Sequence, residues 1–430
     1  MGPYNGGSMD ADARIHERPV KRALRRADLS GTFIVGKYAL SPYMACGHGC
    51  AYCDGRAERY YVEGEFDRDI VARRNLPELL ARELPRLREP GFVTLGSGIS
   101  DVYQPAEAKE RITRRCAEIL TEHDHPVTVM TKSDLALRDL DLWKRVNERR
   151  RFVFIVSIVH RDDGTRRTFE PGAAAIEARL EALRAFKEAG CATGVLAMPI
   201  LPGVGDAPEE VSRLYDTLAE TGVDFIQAGG LTLRPGRQKE YYLRRLERSY
   251  PVHLPLYDEL YRENRPSGAP IAAYTRRLAR MFLREHARIG LPYLMPHHIY
   301  ARHLATYDEA SVLLQHMAEL YRANDIDTSP LRAATKRFFA WLGPRKREYN
   351  RHRSWDYRNL SEELLAPGHL EELLDNPRLA EFLRQVLVEG GVLDYVTLRL
   401  AEPGRAAGPQ GGADTRSASG AERPGGAGTP

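Results

Sequence analysis

An α/β fold, with a parallel sheet curled into a barrel or partial barrel and a helical region after it, is what this sequence predicts. Three observations carry it. Runs that are apolar on both faces recur between residues 32 and 236. Amphipathic stretches separate them at intervals of roughly 30 to 40 residues, and beyond about residue 250 only helical periodicity remains. Strands buried on both faces and interleaved with helices belong to parallel sheets, because parallel pairing needs a long crossover that covers the sheet. Such folds place their chemistry at the C-terminal ends of the strands.

Taken in order, "TFIVGKYAL" (32–40) predicts the first strand, and "NLPELLARELPRLR" (75–88) the first helix. "GFVTLGSG" (91–98) reads as the second strand, followed by a helix over 106–123. "PVTVMTKS" (126–133) is the third strand and 134–149 its helix; "RFVFIVSIV" (151–159) is the fourth, with a helix over 173–189. "CATGVLAMPILPG" (191–203) and "DFIQAGGLTLRPG" (224–236) complete six units, separated by a helix over 207–221. The strand ends are small or polar, as a ligand site requires: Gly96-Ser97-Gly98, Thr131-Lys132-Ser133, Ser157, and Pro199 through Gly203. Residues 30–250 are read as the barrel and 251–401 as a helical C-terminal region. Residues 1–12 and 402–430 hold too little apolar surface to fold and are expected to be disordered.

Composition narrows the class. The 430 residues are 43% hydrophobic, enough for a large core. The longest clean apolar run, "FVFIVSIV" at 152–159, is far short of a membrane span. The opening residues carry no apolar signal region, so a cytoplasmic protein with no membrane partner is expected. A net charge of +4 is too balanced to argue for nucleic acid by itself. Local basic runs say more: "KRALRR" (21–26), and "PRKREYNRHRSWDYR" (344–358), which mixes arginines with Tyr349, Trp355 and Tyr357. Arginines reach phosphates and aromatics stack on bases, although a solvated loop has the same composition.

Only five cysteines occur, and three of them stand in "MACGHGCAYCDGR" (44–56). Cys46, Cys50 and Cys53 are spaced C-x3-C-x2-C, with Tyr52 before the last. In a reducing compartment such a group binds metal or does redox work. Cys116 and Cys191 read as small buried hydrophobes. A structural zinc site would want a second pair of ligands, and His48 is awkwardly placed to be the fourth. An electron-transfer cluster would want a fourth cysteine. A 4Fe-4S cluster on three cysteines needs no other protein ligand and leaves one iron open for S-adenosyl-L-methionine. The glycines Gly47 and Gly49 would let the loop curl around it.

C-x3-C-x2-C with an aromatic before the last cysteine, leaving the first strand of a six-unit array, resembles the radical S-adenosylmethionine (SAM) superfamily. "SPYMACGHGCAYC", "GSGISDVYQPAE" (96–107), "VMTKSDLALRDLDL" (129–142), "FEPGAAAIEARLEALRAFKEAG" (169–190) and "MPILPGVGD" (198–206) are similar, in the same order, to segments of its spore photoproduct lyase-like group. The resemblance covers about 30 to 250. It implies a partial (β/α)6 TIM-like barrel, open on one side, and a lyase-like radical SAM enzyme that cleaves the cofactor reductively and abstracts hydrogen from a substrate, nucleic-acid bases included. It also implies an electron donor such as flavodoxin or ferredoxin.

Carried over residue by residue, the resemblance makes Cys46, Cys50 and Cys53 the cluster ligands and Tyr52 the aromatic beside the adenine. Gly96, Ser97 and Gly98 would approach the cofactor amino group, although the run departs from the superfamily's commoner two-glycine-then-acid form. Lys132 and Ser157 would meet the methionine or ribose portions. Asp101, Tyr103, Gln104 and Glu107 form a polar patch beyond the glycines. Asp101 and Tyr103 are the catalytic candidates, although Asp101 and Glu107 would equally begin the following helix. The lyases proper carry a hydrogen-donating cysteine before the Ser-Asp pair. Here the run is Gly98-Ile99-Ser100-Asp101, which speaks against thymine-dimer repair by that route and leaves Tyr103 as the candidate donor. His160, past the fourth strand, is a candidate acid or base. His297, His298 and His303 read as structural. The competing function is a non-catalytic nucleic-acid-binding protein with a cysteine-held metal or iron–sulfur site.

Overall fold

The computed structural model describes residues 13–27, 29, 34–60, 62–96, 98–351 and 356–401. Ser97 and the two ends read as disordered, 1–12 and 402–430, lie outside the described residues. The chain divides into two compact units, one ending at Met295 and the other running on from Pro296.

The first unit opens with β1 (Arg14–Glu17), β2 (Leu24–Arg26), β3 (Tyr38–Leu40), β4 (Tyr43–Met44) and β5 (Asp69–Ala72). Then come α1 (Leu76–Glu83), β6 (Val93–Leu95), α2 (Glu107–Glu110), α3 (Ile112–Leu120), β7 (Val127–Thr131) and α4 (Leu140–Arg149). After β8 (Phe152–Ser157) follow α5 (Asp163–Phe169), α6 (Ile176–Glu188), β9 (Ala192–Ile200), α7 (Pro208–Ala219) and β10 (Phe225–Gly230). Helices α8 (Arg237–Ser249), α9 (Leu254–Leu260) and α10 (Ala272–Ile289) close the unit.

Strands β3, β6, β7, β8, β9 and β10 lie side by side in chain order, all parallel, with β2 antiparallel on the outer edge of β3. The sheet ends at β10 and β2 without closing, which makes it a partial (β/α)6 barrel. Its middle is dry: all six residues of β8 are buried. Phe152 stacks on Trp143 of α4 at 4.8 Å between centroids, and Phe154 on Phe186 of α6 at 4.0 Å. That two-sided burial is why the strand reads as a continuous apolar run. The second core strand, β6, is shorter than its apolar run because Gly96 turns the chain at the rim. Gly96 takes φ 117°, and a Cβ there would lie 2.9 Å from the Met130 carbonyl oxygen.

A small second sheet, β1-β5-β4, has no counterpart in the sequence reading. Its strands hold two to four residues, too few for an alternation to register, and β1 (RIHE) is mostly exposed. The helical texture beginning near residue 250 does not coincide with the division between the units. Helix α10 packs on α7 and β10, and a Cβ on Gly230 would lie 2.9 Å from Leu278 of α10.

Beneath α10, His286 is buried, its Nδ1 3.0 Å from the Leu291 carbonyl oxygen and its Nε2 3.1 Å from the Tyr215 hydroxyl. Burial lowers its pKa to about 4, against a small opposing effect of the Leu291 bond. A histidine held neutral stabilises the fold fully above its unfolded pKa near 6.5, and loses that contribution as acidification approaches the folded value. Between pH 7.5 and 5 the loss is about 2 kcal/mol. Urea unfolding of His286→Gln is therefore expected to show a shallower fall in stability over that range than the parent chain. Equal slopes would contradict it.

The second unit contains α11 (His297–Tyr300), α12 (Thr306–Ala323), α13 (Ser329–Arg351), α14 (Tyr357–Leu364), α15 (His369–Leu374), α16 (Pro377–Leu387) and the antiparallel pair β11 (Val392–Leu393) and β12 (Leu400–Ala401). The described part of the 344–358 stretch is largely the end of α13, with Tyr349 buried and Lys346 paired to Asp308 at 2.7 Å. Over its described part it is helix and not the solvated loop that its composition allowed; His352 through Trp355 lie outside the described residues. His297 is fully buried. The Leu393 N–H donates to its Nδ1, which leaves Nε2 as the donor toward Glu309 at 3.0 Å.

Candidate active site

The cysteine loop begins where β4 ends and lies over the C-terminal ends of the parallel strands. Ala45 takes φ 63° and Gly49 φ 64°, so the left-handed turns fall at Ala45 and Gly49 and not at Gly47. At Gly49 a side chain would be strained and would press on Asp67. Cys46 and Cys50 are buried, and Cys53 is half-buried. Cys53 caps the short turn Asp54–Arg56, its sulfur accepting from the Gly55 N–H at 3.4 Å.

All three sulfur-bearing residues line one cavity of about 280 Å³. Tyr52, Gly98, Asp101, Lys132 and Ser157 line it too, so the structure brings most of the sequence-chosen residues together. Met130, Leu196, Met198 and Pro199 supply apolar wall, and Asp54, Leu231 and Thr232 the far rim. Gly96 lies just behind, held against Met130.

Burial raises the thiol pKa values of Cys46 and Cys53, and pushes that of Cys50 up to about 12 despite the nearby Lys132 charge. Three such thiols ionise together only beside a strongly positive centre. Among the described residues, no three His, Cys, Asp or Glu side chains are arranged to hold a single metal ion. A multinuclear cluster has no need of convergence on one point, because each iron takes its own sulfur. Three thiols on one cavity fit that donor set.

Asp101 is nearly buried. Its Oδ1 accepts from the Thr131 hydroxyl at 2.7 Å and the Tyr103 N–H at 2.8 Å, and its Oδ2 from the Lys132 N–H at 2.7 Å. His48 Nε2 lies 3.2 Å from Oδ2, while its Nδ1 is 2.9 Å from the Gly172 carbonyl oxygen. Burial would raise the Asp101 pKa; His48, the Thr131 hydroxyl and the Tyr103 N–H more than offset it, so the carboxyl sits below its ordinary range. Asp101 thus joins the cysteine loop to the end of β7, and its acceptor capacity is largely taken.

Tyr103 is a correction. It is fully buried, its hydroxyl donating to Asp139 at 3.0 Å and accepting from Trp143 at 2.8 Å, and it does not line the cavity. The apolar packing of α4 draws the ring into the core, away from the place a hydrogen donor must occupy. Glu107 is likewise interior: it accepts from Tyr43, Arg138 and the Thr113 and Arg114 N–H groups, which caps α3. Gln104 holds the cysteine loop, its amide bridging the Gly47 N–H and the Ala45 carbonyl. His160 is buried beside the site, outside the cavity lining, and burial lowers its pKa.

Behind Tyr52 lies a buried charge network absent from the sequence reading. Glu170 and Arg179 are both fully buried and pair at 2.6 Å. Glu170 also accepts from the Tyr52 hydroxyl, and Arg179 donates to the Ser157 carbonyl at 2.9 Å. Burial alone would raise the Glu170 pKa, yet Arg179, Lys132 and His160 hold it at about 2. The Lys132 ammonium, 5.8 Å from the Tyr52 ring centre, has its pKa raised: burial opposes its charge, and Cys50 and Glu170 favour it.

Residues 40–218 match the family model of the radical SAM superfamily. An uncharacterized protein of Mycobacterium tuberculosis is 29% identical over 256 residues, 58% of this chain and 74% of the relative. One of Methanocaldococcus jannaschii is 26% identical over 244 residues, 56% of this chain and 86% of its own length. Among solved structures, a mutant spore photoproduct lyase is similar at 19% identity and a TM-score of 0.49, over 64% of this chain and 79% of that one. Among the described residues no helix is long and apolar enough to cross a membrane. The family match, with three thiols on one cavity at the ends of a parallel sheet, identifies residues 40–218 as a radical SAM domain.

Proposed function

We propose that Cys46, Cys50 and Cys53 hold a 4Fe-4S cluster and that S-adenosyl-L-methionine occupies the same cavity, as the source of the radical that abstracts hydrogen from a separate substrate. The observation that carries this is the single cavity shared by the three cysteines with Lys132, Ser157 and Gly98. Bound there, the pair supplies one-electron cleavage of the sulfonium to a 5′-deoxyadenosyl radical.

The chain's own residues bind and shield. Lys132 is a fixed cation for a carboxylate, the Ser157 hydroxyl a partner for a carboxylate or ribose, and Tyr52 a buried ring for the adenine. Gly98, on the cavity wall, offers its backbone to an amino group. Asp101 is a positioning group for the loop and for Lys132. Met130, Leu196 and Met198 exclude water from the reacting centre. The electron enters from a small donor such as flavodoxin or ferredoxin, and free thiols throughout suit a reducing cytoplasm.

The substrate class best supported is a polyanion, nucleic acid included. On α10, Arg276, Arg280 and Arg284 recur every fourth residue, exposed and with no ion-pair partner among the described residues. Four residues of helix rise about 6 Å and turn about 40° past one revolution, so the three cations form a gently winding track on one side of the helix. A lyase outcome would follow the resemblance to the photoproduct lyases, without their donor cysteine.

Anaerobic reconstitution with iron and sulfide, then dithionite and S-adenosylmethionine, tests the core of this. A brown protein absorbing near about 400 nm and yielding 5′-deoxyadenosine and methionine is expected. A fully reduced cluster that yields neither would leave an electron-transfer protein, and colourless zinc-loaded protein would favour a non-catalytic binder. For the substrate, R276E/R280E/R284E is expected to weaken binding to single-stranded oligonucleotides and to lower the salt slope by about 2. An unchanged slope would remove α10 from the interface.

A further inference from the structure

Each cysteine needs its sulfur fixed, yet the loop tethers the three unequally. The residues flanking Cys46 are gripped by fully buried Gln104, whose amide accepts from the Gly47 N–H at 2.8 Å and donates to the Ala45 carbonyl at 3.2 Å. Cys50 is gripped by Arg56, which donates to the Cys50 carbonyl at 2.9 Å and the Gly49 carbonyl at 3.0 Å. Among the described residues, Cys53 makes only local backbone bonds, to the Cys50 carbonyl and from the Arg56 N–H. It is also the most exposed of the three, its sulfur 3.9 Å from the Gly98 carbonyl oxygen.

Its long-range anchor is Gln238, near the start of α8 and 185 positions downstream. This side chain is fully buried. Its amide nitrogen lies 2.9 Å from the Tyr52 carbonyl oxygen, 3.0 Å from Asp54 Oδ1 and 3.1 Å from the Thr232 carbonyl oxygen. Its own carbonyl accepts from the Arg234 N–H at 2.8 Å. Gln238 therefore grips the residues on either side of Cys53, as Gln104 does for Cys46. The seam continues on both sides. The Thr232 hydroxyl donates to Asp54 at 3.2 Å, and Glu58 accepts from the Arg237 N–H at 2.8 Å, which caps α8. Gly236, at φ 92°, lets Glu58 lie against it. Helix α8 and the loop after β10 thus form one side of the cysteine loop's frame.

We propose that Gln238 is the positioning residue for the third cysteine: its amide ties the Tyr52–Asp54 segment to the loop after β10 and holds the Cys53 sulfur in the cavity. This rests on the reading of the three cysteines as cluster ligands. Partners that orient ligands typically change metal retention by 10- to 100-fold when removed.

Gln238→Met keeps length and lack of branching while removing every hydrogen bond. Thr232→Val, at a partly exposed position, removes only the hydroxyl that steadies Asp54. The reconstituted chain and both variants are challenged anaerobically with a ferrous-iron chelator, and hydrogen–deuterium exchange is followed over 50–57 in the cluster-free proteins. Gln238→Met is expected to release iron at least about 10-fold faster, and Thr232→Val a few-fold faster. Exchange over 50–57 should rise in both, while exchange in β7 and β8 stays unchanged. Parental release rates and parental exchange would overturn the proposal. If Gln238→Met does not fold, Thr232→Val decides by the same two readouts. A parent chain that takes up no iron–sulfur cluster would instead overturn the ligand reading, and the exchange data would still report whether Gln238 fixes the segment.

Discussion

Cys53→Ala is expected to take up almost no iron–sulfur cluster, and to lower 5′-deoxyadenosine formation by at least about 10³-fold, roughly 4 kcal/mol of barrier. Cys53 suits this test better than its neighbours because it is only half-buried, so the substitution opens no closed core cavity. The cluster-free variant should unfold within about 1 kcal/mol of the cluster-free parent. Cys116→Ala supplies the contrast: Cys116 is fully buried in α3 and lines no part of the cavity. It should lose stability and keep the cluster. A Cys53→Ala protein that retains iron and product would show that the thiols are not ligands, whatever their spacing. One that loses the cluster when the parent never responds to S-adenosylmethionine would point to electron transfer.

What the sequence made legible follows from the range over which each signal acts. The six core strands are legible because burial on both faces writes itself into consecutive residues, as in "FVFIVSIV". The cysteine loop is legible because its three sulfurs lie within eight positions. Lys132 and Ser157 are legible as polar residues ending apolar strands, and both line the cavity. Tyr103 was misplaced because adjacency to Asp101 says nothing of direction, and the ring turns toward Asp139 and Trp143, 36 and 40 positions away. Gln238 and Glu170 left no local trace at all. Each is an ordinary helix-flanking residue until the fold sets it against Tyr52, 186 and 118 positions away.

That last contact makes the second large prediction. Arg179 is fully buried, and its guanidinium satisfies Glu170 and the Ala174 and Ser157 carbonyls together. Arg179→Met leaves the Glu170 carboxylate buried with its main counter-charge gone, which costs about 3–5 kcal/mol. The pH dependence gives the sign. In the parent chain Glu170, depressed to about 2, stabilises the fold at neutral pH and loses that contribution as pH falls from the unfolded value toward 2. Without Arg179, burial favours the protonated acid, so the deficit of the variant should shrink on acidification. Adding Glu170→Gln should recover most of the loss at pH 7, since an amide can still accept from Tyr52 and needs no cation. Chemical unfolding of the two single variants and the double, at pH 7 and 5, checks each step. A double variant as unstable as Arg179→Met would mean that the two carbonyl bonds and the packing of Arg179, and not its charge, hold this side of the cavity in place.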